Sequence, residues 1–180
     1  MPAPVVAIII GSLRKDSFNR QLAGAVQRLA GDRFAFRVLE IGDLPLYNQD
    51  DDADFPAAGL RFKQGIEQAD ALLFVTPEYN RSMPGVLKNA IDVASRPAGS
   101  TTFAGKRAGI IGTSPGMHGT VSSQQHLRNV LAAVDVAVLS QPEIAIQFKE
   151  GLIDAAGDVV DERARRRLQM FLDRFETWLG

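Results

Sequence analysis

Residues 74–92, FVTPEYNRSMPGVLKNAID, lead from an apolar strand pattern directly into a helical pattern. Between the two patterns, bracketed by prolines, lie an acid, a phenol, an amide and a guanidinium, at Glu78, Tyr79, Asn80 and Arg81. In open α/β sheets, ligands bind outside the carboxyl ends of the strands. This stretch therefore predicts an α/β fold in which these polar side chains lie at a ligand site.

The rest of the chain repeats the alternation of strand and helix patterns. Continuous apolar runs are typical of strands buried on both faces of a parallel sheet. Four such runs are VVAIII at 5–10, ALLFVT at 71–76, AGIIGT at 108–113 and VAVLSQPEIAI at 136–146. A fifth, half-buried strand is predicted for FRVLEI at 36–41. Apolar stripes of helical period between the runs indicate right-handed crossovers, and so a doubly wound, five-stranded parallel sheet with helices on both faces.

The composition limits the possible functions. A chain of 180 residues, 46% hydrophobic and 23% charged, is expected to form a single soluble domain over residues 1–180. A net charge of −1 provides no overall field for nucleic acid or an anionic membrane, so neither is an expected partner. The absence of cysteine excludes thiolate catalysis, and no segment approaches the roughly 20 apolar residues of a membrane helix. We expect a cytoplasmic protein without a metal site, in which the acid-rich residues 45–56 form a solvated loop.

The first strand pattern is followed by GSLRKDSFNRQLA at 11–23, which leads into a helix. The N-terminus of a helix presents free N–H groups and a partial positive charge. With the side chains of Ser12, Arg14, Ser17 and Asn19, it is suited to cradle a phosphate. An ordinary serine cap is the alternative interpretation. The pattern is neither the dinucleotide fingerprint GxGxxG nor a P-loop.

The fourth strand pattern ends in GTSPGMHGT at 112–120, whose glycines either make turns or let the backbone approach a ligand closely. Strands one, three and four lie side by side in the flavodoxin-like order 2-1-3-4-5, around its switch point. The loops that follow these three strands are therefore expected to contact one ligand.

Three motifs, GSLRKDSFNRQLA, TPEYNRSMPGVLKNAIDVASRP and GTSPGMHGT, resemble those of the NAD(P)H-dependent FMN reductase family, in the branch that includes chromate, quinone and azo-compound reductases. The resemblance covers nearly the whole chain and implies FMN as cofactor, NAD(P)H as co-substrate and a homodimer or homotetramer. It implies that the first loop binds the FMN phosphate, that the second lies along the isoalloxazine ring, and that the third closes over its other side. The implied FMN-binding residues are Ser12, Arg14, Ser17, Phe18, Asn19, Pro77, Glu78, Tyr79, Asn80, Ser114 and Gly116.

The implied activity is electron transfer from NAD(P)H to small acceptors such as quinones, free flavin, azo compounds, chromate or other metal ions. We expect ping-pong kinetics if the nicotinamide and the acceptor use the same exposed flavin face. Because the flavin supplies the redox chemistry, no catalytic side chain is expected, and neither His118 nor His126 is assigned one. A flavodoxin-type electron carrier with protein partners is the alternative. Two roles are open for Glu78, contact with the flavin or capping of backbone N–H groups. Arg81 is suited either to nucleotide phosphates or to a subunit interface.

Overall fold

The computed structural model describes residues 2–180, and all strand pairings in its sheet are parallel. The strands are β1 (Val5–Ile10), β2 (Ala35–Leu39), β3 (Ala71–Val75), β4 (Arg107–Ser114), β5 (Ala137–Val138) and β6 (Ile144–Gln147). They lie in the order β2-β1-β3-β4-β5, with β6 also paired to β4. The predicted strand order 2-1-3-4-5 is confirmed.

The fifth position in the sheet is shared by two short strands, where the sequence predicted one run at 136–146. β5 pairs with the beginning of β4 and β6 pairs with its end, so the chain leaves the sheet between them. Pro142 lies in this gap and has no N–H to donate to a neighbouring strand. At the same gap, the Arg128 guanidinium donates a hydrogen bond of 2.9 Å to the carbonyl of Leu139. A side chain thus replaces part of the interrupted ladder.

Five α-helices of the described residues cover the sheet. They are α1 (Phe18–Ala30), α2 (Ala57–Glu67), α3 (Gly85–Ala94), α4 (Val121–Ala133) and α5 (Glu162–Leu179). Buried residues of α1 and α5 belong to the core on one face, and those of α2, α3 and α4 belong to the core on the other. The predicted placement of helices on both faces is confirmed. Within residues 2–180, no helix is both long enough and apolar enough to span a membrane.

The strands at the centre of the sheet explain the continuous apolar runs. In β1, Val6 and Ile8 face the core under α1 and α5, whereas Ala7 and Ile9 face the opposite core. All five residues of β3 are buried, so its sequence does not alternate. Full burial of a valine or isoleucine side chain contributes about 1.5–3 kcal/mol relative to exposure. Because β1, β3 and β4 run parallel, the loops that follow them lie at one edge of the sheet.

Residues 45–56 form a loop with one short 3-10 helix at Gln49–Asp51. Asn89 of α3 fastens this loop, because its Oδ1 accepts from the N–H of Tyr47 at 2.9 Å and its Nδ2 donates to the carbonyl of Pro45 at 2.8 Å. In the described part of the chain, no three His, Cys, Asp or Glu side chains are grouped so as to hold a metal ion.

Candidate functional site

Three loops meet at the carboxyl edge of the sheet. The first loop (residues 11–17), the second loop (residues 76–84) and the third loop (residues 115–120) follow β1, β3 and β4. Gly11 brings the first two together, because its N–H donates to the last carbonyl of β3 at 2.9 Å. A Cβ at this position would lie 3.1 Å from the Leu87 side chain of α3, so the close approach favours glycine.

The first loop ends as the N-terminal cap of α1. Ser17 Oγ accepts from the N–H of Arg20 at 3.3 Å, and Ser17 and Ser12 are only 2% and 5% exposed. The serine cap is therefore present, as one interpretation of the sequence held. It leaves other donors free, since the N–H groups of Phe18 and Asn19 begin the helix and have no acceptor within it. The first turn of α1 contains no acidic residue, and this donor set fits a phosphate.

Asn19 lies beneath the first loop and joins α1 to β4. Its Nδ2 donates to the carbonyl of Thr113 at 2.9 Å, and its Oδ1 accepts from the N–H of the same residue at 3.0 Å. Asn19 is 2% exposed. Its amide is therefore committed to the backbone of β4, which sets the distance between the first and third loops.

The second loop contains a two-residue hairpin turn. Tyr79 and Ser82 exchange backbone hydrogen bonds of 2.9 and 3.0 Å, and φ is 52° at Asn80 and 63° at Arg81. Two consecutive positive φ angles define a type I′ turn, for which Asn-Gly is the usual sequence. Asparagine tolerates this conformation, whereas a long side chain such as arginine is strained in it. The tip is open to solvent, with Tyr79 53% exposed.

Hydrogen bonds anchor the second loop to α4. Glu78 Oε2 accepts from the backbone N–H of Ser123 at 3.0 Å, and Thr76 Oγ1 lies 3.2 Å from the Ser123 hydroxyl. Ser82 Oγ lies 2.9 Å from Nδ1 of His126. Because the residue before α4 makes no side-chain capping bond, Glu78 supplies the cap from the neighbouring loop. Of the two roles open for Glu78, capping of a backbone N–H is the one seen in this geometry.

The third loop is closed on itself. The hydroxyl of Ser114 donates to the carbonyl of Gly119, and the N–H of Gly119 donates to the carbonyl of Gly116 at 3.0 Å. Gly119 has a φ of +60°, and a Cβ there would press on the backbone of β6. Met117, between these contacts, is 77% exposed. The loop is thus a compact turn that presents Gly116 and Met117 outward.

The charges of the first loop suit an anion. Arg14 and Lys15 are exposed, and neither forms an ion pair with another residue in the range 2–180. Asp16, also exposed, is the one acid of this loop and opposes them. A helix N-terminus with free donors beside two further loops, at the switch point of a flavodoxin-like sheet, fits a protein that binds a mononucleotide.

Comparison with known proteins shows which family of proteins this chain resembles. The chain matches the family described as NADPH-dependent FMN reductase over residues 4–151. It is 53% identical over 174 residues to a 2-hydroxy-1,4-benzoquinone reductase from Burkholderia sp, covering 97% of this chain and 95% of the relative. It is 45% identical over 175 residues to a quinone reductase from Pseudomonas putida, with coverages of 97% and 94%. The solved structure of a flavoenzyme NAD(P)H:(acceptor) oxidoreductase from Paracoccus denitrificans superposes with a TM-score of 0.95 at 48% identity, with coverages of 98% and 97%.

The chain therefore belongs to the NADPH-dependent FMN reductase family. The predicted family and the flavodoxin-like α/β fold are confirmed. Membership also supports the predicted cofactor, FMN, with NAD(P)H as co-substrate.

Several residues that hold the site together escaped the sequence analysis. Thr113 and Ser123 bind Asn19 and Glu78 through backbone N–H groups, which no local pattern reveals. Phe148 packs its ring against Phe18 of the first helix, with centroids 3.9 Å apart. These contacts join segments far apart in the chain, so they become visible only once the sheet is assembled.

Proposed function

We propose that this protein transfers electrons from NAD(P)H to small acceptors by means of bound FMN, with quinones as the leading acceptor class. The observation that carries the proposal is the meeting of three loops at one sheet edge, with a phosphate cradle in the first and an exposed, anchored hairpin in the second. The acceptor class is supported by relatives named quinone reductase and 2-hydroxy-1,4-benzoquinone reductase.

We assign the FMN phosphate to the first loop. Donors there are the hydroxyls of Ser12 and Ser17, the Arg14 guanidinium and the first N–H groups of α1, which begins at Phe18. Asn19 is assigned a positioning role, because both ends of its amide are bound to β4.

We assign the isoalloxazine ring to the second and third loops. Pro77 is buried and fixes the backbone from which the exposed Tyr79 and Asn80 project. Glu78 acts from behind this surface, since its carboxylate holds α4. On the other side of the ring we place Ser114, the last residue of β4, and Gly116 of the third loop.

Flavin chemistry of hydride uptake and electron transfer is supplied by FMN when it is bound. The residues of this chain bind and orient it, and we assign no catalytic side chain. We propose ping-pong kinetics, because one exposed face at the hairpin tip would serve the nicotinamide and the acceptor in turn. Double-reciprocal plots at several acceptor concentrations should then be parallel. Free flavin, azo compounds, chromate and other metal ions are further candidate acceptors.

The test is to mix the FMN-loaded protein anaerobically with NADPH or NADH, and then with 1,4-benzoquinone. We expect the flavin absorbance to bleach within minutes and to return when the quinone is added, whereas free FMN at the same concentration should bleach far more slowly. A flavodoxin-type carrier would not bleach on this timescale and would need a partner reductase. If neither NADPH nor NADH bleaches the flavin, the proposed reductase activity is refuted.

We further propose a homodimer or homotetramer in the cytoplasm, where NAD(P)H is available, with residues 1–180 acting as one domain. Large apolar side chains are exposed on and around the three loops, where a partner subunit would cover them. They are Leu13, Leu46, Tyr79, Met117 and Val121. Light scattering after gel filtration measures the mass of the particle, and a monomer at micromolar concentration would contradict this assembly.

A further inference from the structure

Arg14 lies on an aromatic stack at the edge of the first loop. Its Cζ is 4.5 Å from the centroid of the Phe18 ring. On its other side, Phe18 stacks against Phe148, with ring centroids 3.9 Å apart and planes inclined by 19°. A guanidinium stacks on an aromatic ring through its flat face, which leaves the N–H groups at its edge free to bind an anion. The stack thus orients Arg14 without occupying its donors.

Phe148 is itself fixed from two directions. Its backbone N–H donates to the carbonyl of Ser114 at 2.8 Å, directly before the third loop. Its half-buried ring packs against the core under α1 and α5. The backbone of Phe148 is therefore bonded to β4, and its ring packs against the ring of Phe18.

We propose that Phe148 is a positioning residue for phosphate recognition, which holds the Phe18 ring and, through it, the Arg14 guanidinium at the phosphate cradle. The inference rests on the proposed function, because the ligand is the phosphate of FMN. An exposed arginine loses rotamer freedom when it binds an anion, and an arginine already held on a ring loses less. The benefit falls on the phosphate alone, so Phe148 supports binding of FMN and not of riboflavin, which lacks the phosphate.

The first test compares equilibrium binding of FMN and riboflavin to the flavin-free protein, measured by quenching of flavin fluorescence. Phe148→Leu should weaken FMN binding about two- to fivefold, the size of an exposed cation–π contact, and leave riboflavin binding unchanged. Phe148→Tyr retains the aromatic face and should bind FMN as the wild type does. Phe36→Leu is the matched control, because Phe36 is also half-buried against the same core and lies on β2. It should change neither affinity.

A double-mutant cycle tests whether Phe148 acts through Arg14. Arg14→Ala should weaken FMN binding about 10- to 100-fold, the loss of a charge-assisted hydrogen bond. In the Arg14→Ala background, Phe148→Leu should cause no further loss, because the residue that it positions is gone. If Phe148→Leu does not fold, Phe18→Leu removes the middle ring and should give the same FMN-selective loss.

Two results would overturn the inference while leaving the proposed function intact. One is an equal loss of FMN and riboflavin affinity in Phe148→Leu, and the other is the same loss with and without Arg14. A wild-type protein that binds neither flavin would instead refute the proposed function, and with it this role of Phe148.

Discussion

The carboxylate of Glu78 caps the N-terminus of α4 through the backbone N–H of Ser123, 3.0 Å away. The acid belongs to the second loop, whereas the helix that it caps follows the third loop. The same helix end receives no side-chain cap from the residue that precedes it. This hydrogen bond therefore joins the second loop to the helix that follows the third loop, and we assign the flavin ring to these two loops.

Replacement of Glu78 should reduce stability even without a ligand. We expect Glu78→Ala to lower the free energy of unfolding by about 0.5–2 kcal/mol, the usual cost of losing a helix cap. Glu78→Gln should cost less, because its amide oxygen still accepts from the helix. Urea denaturation of the flavin-free protein measures the stability of both variants. Glu150→Ala is the control, because Glu150 is exposed. Unchanged stability together with weaker FMN binding would instead place Glu78 against the ligand.

The hairpin tip offers a direct measurement of backbone strain. Arg81 has a φ of 63°, which costs a residue with a Cβ roughly 1–2 kcal/mol. Arg81→Gly and Arg81→Ala both remove the guanidinium, but only glycine relieves the strain. Glycine also gains freedom in the unfolded chain, which offsets about 0.4–1 kcal/mol of this relief. We therefore expect the free energy of unfolding of Arg81→Gly to exceed that of Arg81→Ala by about 0.5–1 kcal/mol. Equal midpoints of thermal unfolding would speak against the type I′ turn.

Gly112 of β4 packs against the residue that follows β3 and the residue that precedes α4. A Cβ at this position would overlap the carbonyl oxygen of Thr76 and the hydroxyl of Thr120. We therefore expect Gly112→Ala to lower the free energy of unfolding by about 3 kcal/mol or more. Gly24 in α1 is the matched control, because a Cβ there meets no atom within 4 Å, and Gly24→Ala should stabilise by about 0.4–1 kcal/mol. Circular dichroism melts compare the two, and similar losses at both sites would contradict the packing described for Gly112.

Tyr47, in the loop of residues 45–56, should make the stability of the protein fall at alkaline pH. Burial raises the pKa of Tyr47 above its ordinary value of 10.0, the nearby Asp52 carboxylate raises it further, and Arg96 opposes both. A tyrosine that holds its proton more tightly when folded contributes stability below pH 10.0, and this contribution is lost as the pH rises through the folded pKa. We expect the free energy of unfolding to fall more steeply above about pH 10 in the wild type than in Tyr47→Phe.

Urea titrations between about pH 9 and 11 measure this difference. Tyr79→Phe is the control for the loss of a phenol, because Tyr79 lies at the exposed hairpin tip. The same pH dependence in the wild type and Tyr47→Phe would show that Tyr47 carries none of it.

Much of the fold could be predicted because burial leaves a local trace. The runs that became β1 and β3 are apolar throughout, and β4 is apolar from Ala108 to Gly112, since strands covered on both faces have no polar side. The fifth strand was predicted as one segment because its apolar residues continue past Pro142. Its division into β5 and β6 depends on two features. Pro142 has no N–H to donate, and Arg128 of α4 donates to the carbonyl of Leu139 in the gap.

By itself, the sequence determined the order of strands and helices, the loops that would meet and the family of the protein, because these follow from local patterns and motifs. Only the tertiary structure decided which backbone groups the polar residues of those loops contact. Asn19 and Glu78 are both predicted from the sequence to act at the flavin site, and the structure adds that their side chains hydrogen-bond to the backbone of Thr113 and Ser123. Whether a polar side chain bonds to a backbone group depends on the distance between them. That distance is set by packing between segments remote in the chain, which no local pattern records.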